Sequence, residues 1–255
     1  MYRLIDTHAH LEEIKGLEQV LTEARAANIM AIIAVGSDYE SNQKVLQLAR
    51  VYKGFIYPAL GLHPWNLKDS EIDRDLQFIE AHIKEAIAIG EVGLDYHKKV
   101  RARAEKDTQK HALSEILKIA RTHNKPAIIH SRYAWRDSLD SVQAAQLEKA
   151  VFHWYTGPSS VLKDIIGQGY FISATPAVEY HEEHRRAIKE TPLENLLLET
   201  DCPVVYRRGS EFEYESRPAD ILRALRGVAG LRGVSESQIA EATTDNALRF
   251  FCLQD

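Results

Sequence analysis

Histidines and carboxylates recur in this chain where short apolar runs give way to polar sequence, an arrangement that could hold divalent cations. His8, His10, His63, His130 and His153 occupy such positions, as do Glu91 and Asp201. His8 and His10 are two positions apart, so on a strand both side chains point to one face and form a chelating pair. Imidazole nitrogen with carboxylate oxygen suits Zn, Mn, Fe, Co or Ni, whereas a shell richer in carboxylate and water suits Mg. Glu91 has two oxygens and could bridge two ions. His130 and His153, from neighbouring strands, could bind the second ion. Asp201 could close the first site and take the proton of a bound water. Two divalent ions (Mg, Mn or Zn) about 3.5–4 Å apart can lower the pKa of a shared water and stabilise both attacking and leaving oxygens. One such histidine alone is more often a strand-end residue bonded to backbone. The joint placement of four histidines, a glutamate and an aspartate at strand ends points to metal.

Residues this far apart in sequence meet only if the fold gathers strand ends on one surface. Apolar runs at residues 3–6, 30–35, 56–60, 87–89, 127–129, 150–152, 170–173 and 196–198 read as strands. Helical spacing follows at 17–27, 41–51, 72–85 and 105–122, while the polar connection 133–148 reads as partly irregular. Near-continuous apolar strands alternating with helices imply a parallel sheet covered on both sides. Eight such units, with no glycine-rich dinucleotide fingerprint after the first, favour an α/β fold of the (β/α)8 TIM-barrel type, one domain over 1–255. Catalytic groups of such barrels sit at the C-terminal ends of the strands, where these polar residues fall.

At 255 residues and 45% hydrophobic content the chain can bury a large core without disulfides. Its net charge of −5 excludes an overall positive field that coats nucleic acid, though not a locally basic site. Two cysteines, Cys202 and Cys252, form no disulfide framework and suit a reducing compartment. No apolar run is long enough for a membrane span, and a strand beginning near Tyr2 leaves no room for a signal peptide. The expectation is a cytoplasmic protein with no membrane contact and no protein partner. His82, His97, His111, His123, His181 and His184 fall on helices or loops, with solvated surface positions the default; His181 and His184 could reach the site.

Several segments resemble the signatures of the TatD-related DNase family, within the amidohydrolase superfamily. They are Asp6-Thr7-His8-Ala9-His10-Leu11, Gly61-Leu62-His63-Pro64, Gly90-Glu91-Val92-Gly93-Leu94-Asp95-Tyr96, Ile129-His130-Ser131-Arg132, Phe152-His153 and Glu199-Thr200-Asp201-Cys202-Pro203. Arg217-Pro218-Ala219 and Ala242-Thr243-Thr244-Asp245-Asn246-Ala247 extend the resemblance over nearly the whole chain. It implies a metal-dependent TIM-barrel hydrolase of DNA phosphodiester bonds, with His8, His10, Glu91, His130, His153 and Asp201 as metal ligands. His63 matches a histidine beside the substrate. Glu199 shares the inward face of Asp201 and could support a ligand from behind or bind a third metal. The stretch Trp154-Tyr155-Thr156-Gly157-Pro158, the segment Ser173-Ala174-Thr175-Pro176-Ala177 and the loop after Asp201 depart from the family's usual pattern.

Basic residues follow the ligand-bearing strands: Lys98, Lys99, Arg101 and Arg103, then Arg132 and Arg136, Arg185 and Arg186, and Arg207, Arg208 and Arg217. Arginine forks match phosphate oxygens and give affinity without sequence readout. Tyr96, Trp135, Trp154 and Tyr155 could stack on bases of a single strand. The expected reaction is hydrolysis of DNA, single-stranded or at ends. Asp201 would accept the proton, Arg132 would bind phosphate, Tyr96 would contact substrate, and His63 would either offset charge or protonate the leaving alkoxide. A small amide, lactone or phosphoester substrate is the alternative, and a non-catalytic metal- or nucleic-acid-binding protein the second.

Overall fold

The computed structural model describes residues 2–254, and eight parallel strands in the order β1 to β8 wind into a barrel. They are β1 Leu4–Ala9, β2 Ile29–Val35, β3 Ile56–Leu62, β4 Ala88–Asp95, β5 Ala127–Arg132, β6 Ala150–Phe152, β7 Phe171–Ala174 and β8 Leu196–Leu198. Helices α1 Leu17–Ala26, α2 Tyr39–Val51 and α3 Ile72–His82 follow the first three strands, and the short α4 Lys98–Arg101 and long α5 Lys106–Thr122 follow β4. Then come α6 Trp135–Ala144, α7 Ser159–Gly167, α8 Glu182–Glu190, α9 Ile221–Arg232 and α10 Glu236–Phe251. The connection expected to be partly irregular is therefore helical at α6, which buries Ser138, Leu139 and Val142 and turns its polar residues outward.

β8 meets β1 beyond the end of its regular segment. The Asp201 amide donates to the His8 carbonyl at 2.9 Å and the His10 amide to the Cys202 carbonyl at 2.8 Å. Below these bonds the buried Asp6 carboxylate accepts from the amide and the hydroxyl of Thr200 at 2.9 and 2.6 Å. Burial pushes the Asp6 carboxyl up to about 8, and the two hydrogen bonds from Thr200 offset part of that cost, so this pairing ties the seam.

Alternate residues divide the core into two layers. Leu4, Ile32, Leu60, Ile89, Ile129, Phe152 and Leu198 pack outward against the helices. Ile5, Ile33, Ala59, Ala88, Ile128, Val151 and Leu197 fill the barrel, closed below by Phe250 and Phe251 of α10. On β3, β5, β6 and β8 the same alternation continues upward to His63, His130, His153, Glu199 and Asp201. On β1 and β4 it does not: Ala9, Val92 and Leu94 belong to the outer layer although Ile5 and Ala88 face inward. Register breaks between Asp6 and Ala9 and between Ile89 and Val92 supply the extra residue that turns His8, His10 and Glu91 toward the interior.

Two glycines make room for this turn. A Cβ on Gly61 would stand 2.3 Å from the Glu91 amide nitrogen, and one on Gly93, whose φ is 156°, would stand 1.9 Å from the His130 carbonyl oxygen. Gly93→Ala must push β4 away from β5, and we expect a loss of about 3 kcal/mol of unfolding free energy. Urea unfolding monitored by circular dichroism checks this; an unchanged midpoint would show that the strands need no such close approach.

Candidate metal centre

Glu91 lies 3% exposed at the centre of the upper barrel. One of its oxygens, Oε2, is 3.3 Å from Nε2 of both His8 and His10. Asp201 Oδ1 lies 3.4 and 3.6 Å from the same two nitrogens, which are 3.4 Å apart. Ligands bonded at about 2.0–2.2 Å around a tetrahedral ion stand about 3.3–3.6 Å from one another. The spacing of these donors thus fits a cation. Oε1, the other oxygen of Glu91, is 2.7 Å from His153 Nε2, 2.9 Å from His130 Nδ1 and 3.3 Å from His63 Nε2.

Lone pairs of nitrogen and oxygen that converge this closely attract positive charge. Burial opposes charging of His10 and of His153, yet Glu12, Glu91 and Asp201 around the first, and Glu91 and Glu199 around the second, hold both pKa values well above the ordinary one. Burial likewise opposes ionisation of Glu91, but the surrounding imidazoles of His63, His153, His8 and His10 hold its pKa well below the usual range. In Asp201 burial prevails and the pKa is raised. A divalent cation satisfies this donor set where protons otherwise would.

Behind two of the rings stand carboxylates that set their orientation. Asp95 Oδ2 is 3.3 Å from His130 Nε2, and with the ring proton on that side the lone pair of Nδ1, 2.9 Å from Glu91 Oε1, is left free to bind a cation. Although burial opposes it, hydrogen bonds from His130, Trp65 and the His97 amide bring Asp95 down to about 2. Glu199 Oε1 lies 3.5 Å from His153 Nδ1, and its oxygens also accept from the Trp154 amide at 3.0 Å and the Ser173 hydroxyl at 2.7 Å. Its position behind His153 is that of an orienting carboxylate. The carboxylate of Glu12 is buried 3.9 Å from His10 Nδ1, and neither of its oxygens has a hydrogen-bond partner among the described residues.

The centre forms the floor of a cavity of about 780 Å³ whose wall includes His63, Trp65, Arg132, Trp154, His181 and Arg208. His63 accepts from the Trp65 amide at Nδ1, 3.2 Å away, and burial lowers its pKa to about 4. It is therefore neutral near pH 7 and carries its proton on Nε2, which faces Glu91 and the cavity. Tyr96 is not part of the wall; its hydroxyl donates to Asp137 at 2.7 Å. Tyr155 is buried with its hydroxyl on the Pro158 carbonyl at 2.9 Å, and Trp135 packs against the core. His181 reaches the cavity, whereas His184, expected at the surface by default, is fully buried. Its Nε2 accepts from the Thr175 amide at 3.1 Å and its Nδ1 faces the Tyr155 carbonyl at 3.0 Å, so it ties two loops together.

Neither Asp95 nor Trp65 stands out by type and spacing as a ligand does. The available signal for Asp95 is its even spacing from Glu91, which puts both on one face of a strand. Most of the arginines singled out by sequence are consumed locally: Arg136 by Asp164, Arg185 by the Val178 carbonyl, Arg186 by the Gly157 carbonyl, Arg207 by Glu179 and Arg217 by Glu23.

Imidazoles and carboxylates converging at the C-terminal mouth of a (β/α)8 barrel are the equipment of a metal-dependent hydrolase. Residues 5–252 match the model of the family described as TatD related DNase. The chain belongs to that family. It is 33% identical to human deoxyribonuclease TATDN3, over 97% of this chain and 94% of that protein. It is 32% identical to YabD of Bacillus subtilis, described as an uncharacterized metal-dependent hydrolase, over 97% of this chain and 98% of the relative. The crystal structure of the TatD homologue YjjV from Escherichia coli superposes with a TM-score of 0.87 at 28% identity, covering 98% of each chain. No helix among the described residues is long and apolar enough to cross a membrane.

Removing the orienting carboxylate behind His130 tests the centre without removing a donor. Asp95→Asn should weaken metal binding by about 10–100-fold while leaving the fold intact. Isothermal titration with Mn or Zn measures it; wild-type affinity would mean that Asp95 does not orient the ring.

Proposed function

We propose that this chain is a cytoplasmic deoxyribonuclease, one catalytic unit over 1–255, that hydrolyses DNA phosphodiester bonds at two divalent cations. The observation that carries this reading is the division of Glu91 between two ligand sets, Oε2 toward His8 and His10 and Oε1 toward His130 and His153. His8, His10, Glu91 and Asp201 would hold one ion, and Glu91, His130 and His153 the other. Mixed imidazole and carboxylate donors accept Mn or Zn, and Mg if waters complete its shell. Such ions supply Lewis acidity and a water that ionises near neutral pH.

The residues around the centre do the rest. Asp201 borders the cavity and takes the proton that the water loses. His63, neutral and protonated on Nε2, donates a hydrogen bond to a phosphoryl oxygen. A neutral imidazole is a weak acid, so charge stabilisation suits it better than protonation of the leaving alkoxide. Arg132 on the wall pairs with phosphate. Trp65 and Trp154 on the same wall favour unstacked bases, hence single strands or ends. A neutral lactone or amide would leave Arg132 and Arg208 unmatched, and a purely nucleic-acid-binding role would leave the full ligand set without use. The free thiols of Cys202 and Cys252 support a reducing compartment.

Metal-stripped protein should leave end-labelled DNA intact, and Mg, Mn or Zn should restore cutting. Glu91→Ala or Asp201→Ala should lower that rate by roughly three orders of magnitude, the scale of several kcal/mol of lost charge stabilisation. Near wild-type turnover by either variant in metal-defined buffer would sink the assignment. Intact DNA with every metal tried, alongside cleavage of a small phosphoester, would move the substrate to that class.

A further inference from the structure

The rim of the cavity is electrically lopsided. On the side of β7 and β8 the connecting segments expose Glu182, Glu183, Glu211, Glu213 and Glu215. On the side of β4 the helix α4 and the residues after it expose Lys98, Lys99, Arg101 and Arg103. None of these four has a side-chain hydrogen bond or an ion pair among the described residues. That distinguishes them from Arg136, Arg185, Arg186, Arg207 and Arg217, which protein carboxylates or carbonyls already occupy. Four exposed cations without a side-chain hydrogen bond or ion pair on one short stretch are an electrostatic footprint for a polyanion.

A run of aromatic and cationic side chains joins this patch to the metal centre. The Trp65 indole donates to Asp95 Oδ2 at 2.6 Å, which fixes the ring while leaving the residue 49% exposed at the cavity wall. Asp95 also accepts from the His97 amide at 2.7 Å, and His97 caps α4. The His97 ring stacks with Tyr133 at 6.2 Å between centroids, and Tyr133 is 58% exposed. The Arg132 guanidinium lies 5.7 Å from the Tyr133 ring. Trp65, Arg132 with Tyr133, and α4 follow β3, β5 and β4, which are neighbours in the sheet. Exposed aromatic faces alternating with cations are what a single strand needs, bases on rings and phosphates on charges.

We propose that a single polynucleotide strand crosses the rim over β3 to β5, with a base beside the scissile phosphate on Trp65, the next on Tyr133, and later phosphates on Lys98, Lys99, Arg101 and Arg103. The inference rests on the nuclease reading of the metal centre.

The test measures binding of a fluorescent, phosphorothioate-linked 20-mer of thymidylate to the metal-loaded protein by anisotropy across a salt series, with cleavage of the natural 20-mer followed in parallel. The variant K98A/K99A/R101A/R103A should weaken binding at least tenfold and reduce the slope of log K against log salt by about 2–3, at about 0.7 per phosphate lost. A variant with the same change in charge, K53A/K84A/R121A/K189A, alters residues at or just past helix C-termini on the opposite face. It should bind within about twofold of wild type. Trp65→Leu and Tyr133→Leu should each weaken binding about fivefold or more. Equal effects of the two quadruple variants, or wild-type binding by the α4 variant, would overturn the path. If wild type cuts and the α4 variant binds normally, the path falls and the nuclease reading stands. If binding depends on α4 but the natural strand survives, the nuclease reading falls and the path stands. Absence of both binding and cutting would overturn both.

Discussion

Five imidazole nitrogens within 3.3 Å of one buried carboxylate form the constraint around which this protein is built. An isolated carboxylate at the depth of Glu91 would be costly, and rings crowded so closely would repel one another once protonated. The cluster is coherent because each group faces one of opposite character and because a cation completes it. Glu91 divides the rings into two sets, which β1, β3, β5 and β6 deliver at the right depth. Remove the shared carboxylate and the histidines on either side no longer have a common reason to point inward.

Delivering those groups requires departures from regular structure. A strand that alternates faithfully would send His8 and Glu91 into the helical layer, so β1 and β4 each insert a residue, and Gly61 and Gly93 let the displaced backbone pass. Behind the donors, Asp95 faces the ring of His130 and Glu199 that of His153. Asp95 joins two levels of organisation, because the same carboxylate that faces His130 also fixes the exposed Trp65. Chemistry at the floor of the cavity and recognition at its rim are thereby set by one side chain.

Much of this architecture is legible in the sequence. Eight apolar runs mark eight strands, and six ligand-type residues mark the functional face, since hydrophobic periodicity and residue chemistry are local signals. The strand ends are less legible for a specific reason. β4 reads as ending at residue 89 but extends to Asp95, because Glu91, Gly93 and Asp95 face the site while Val92 and Leu94 continue the outer layer. The apolar pattern stops where the chemistry begins. Inserted residues on β1 and β4 are invisible because register belongs to the pair of strands and not to either one. The mouth is legible only as a count of basic residues. Which of them remain free depends on carboxylates and carbonyls that folding brings near, and Tyr96, spent on Asp137, shows how a plausible contact is diverted.

The seam between β1 and β8 ties the order of synthesis to the completion of the centre. Asp6 and Thr200 are 194 residues apart, and the candidate ligands His8 and Asp201 flank that junction. At synthesis rates of 5–20 residues per second, the first ligands wait roughly ten to forty seconds for the last. During that interval the nascent chain holds histidines and Glu91 without the strand that closes the ring. The set of His8, His10, Glu91 and Asp201 is complete only when the barrel shuts, so a chain that stops short of β8 lacks a donor that the full centre needs.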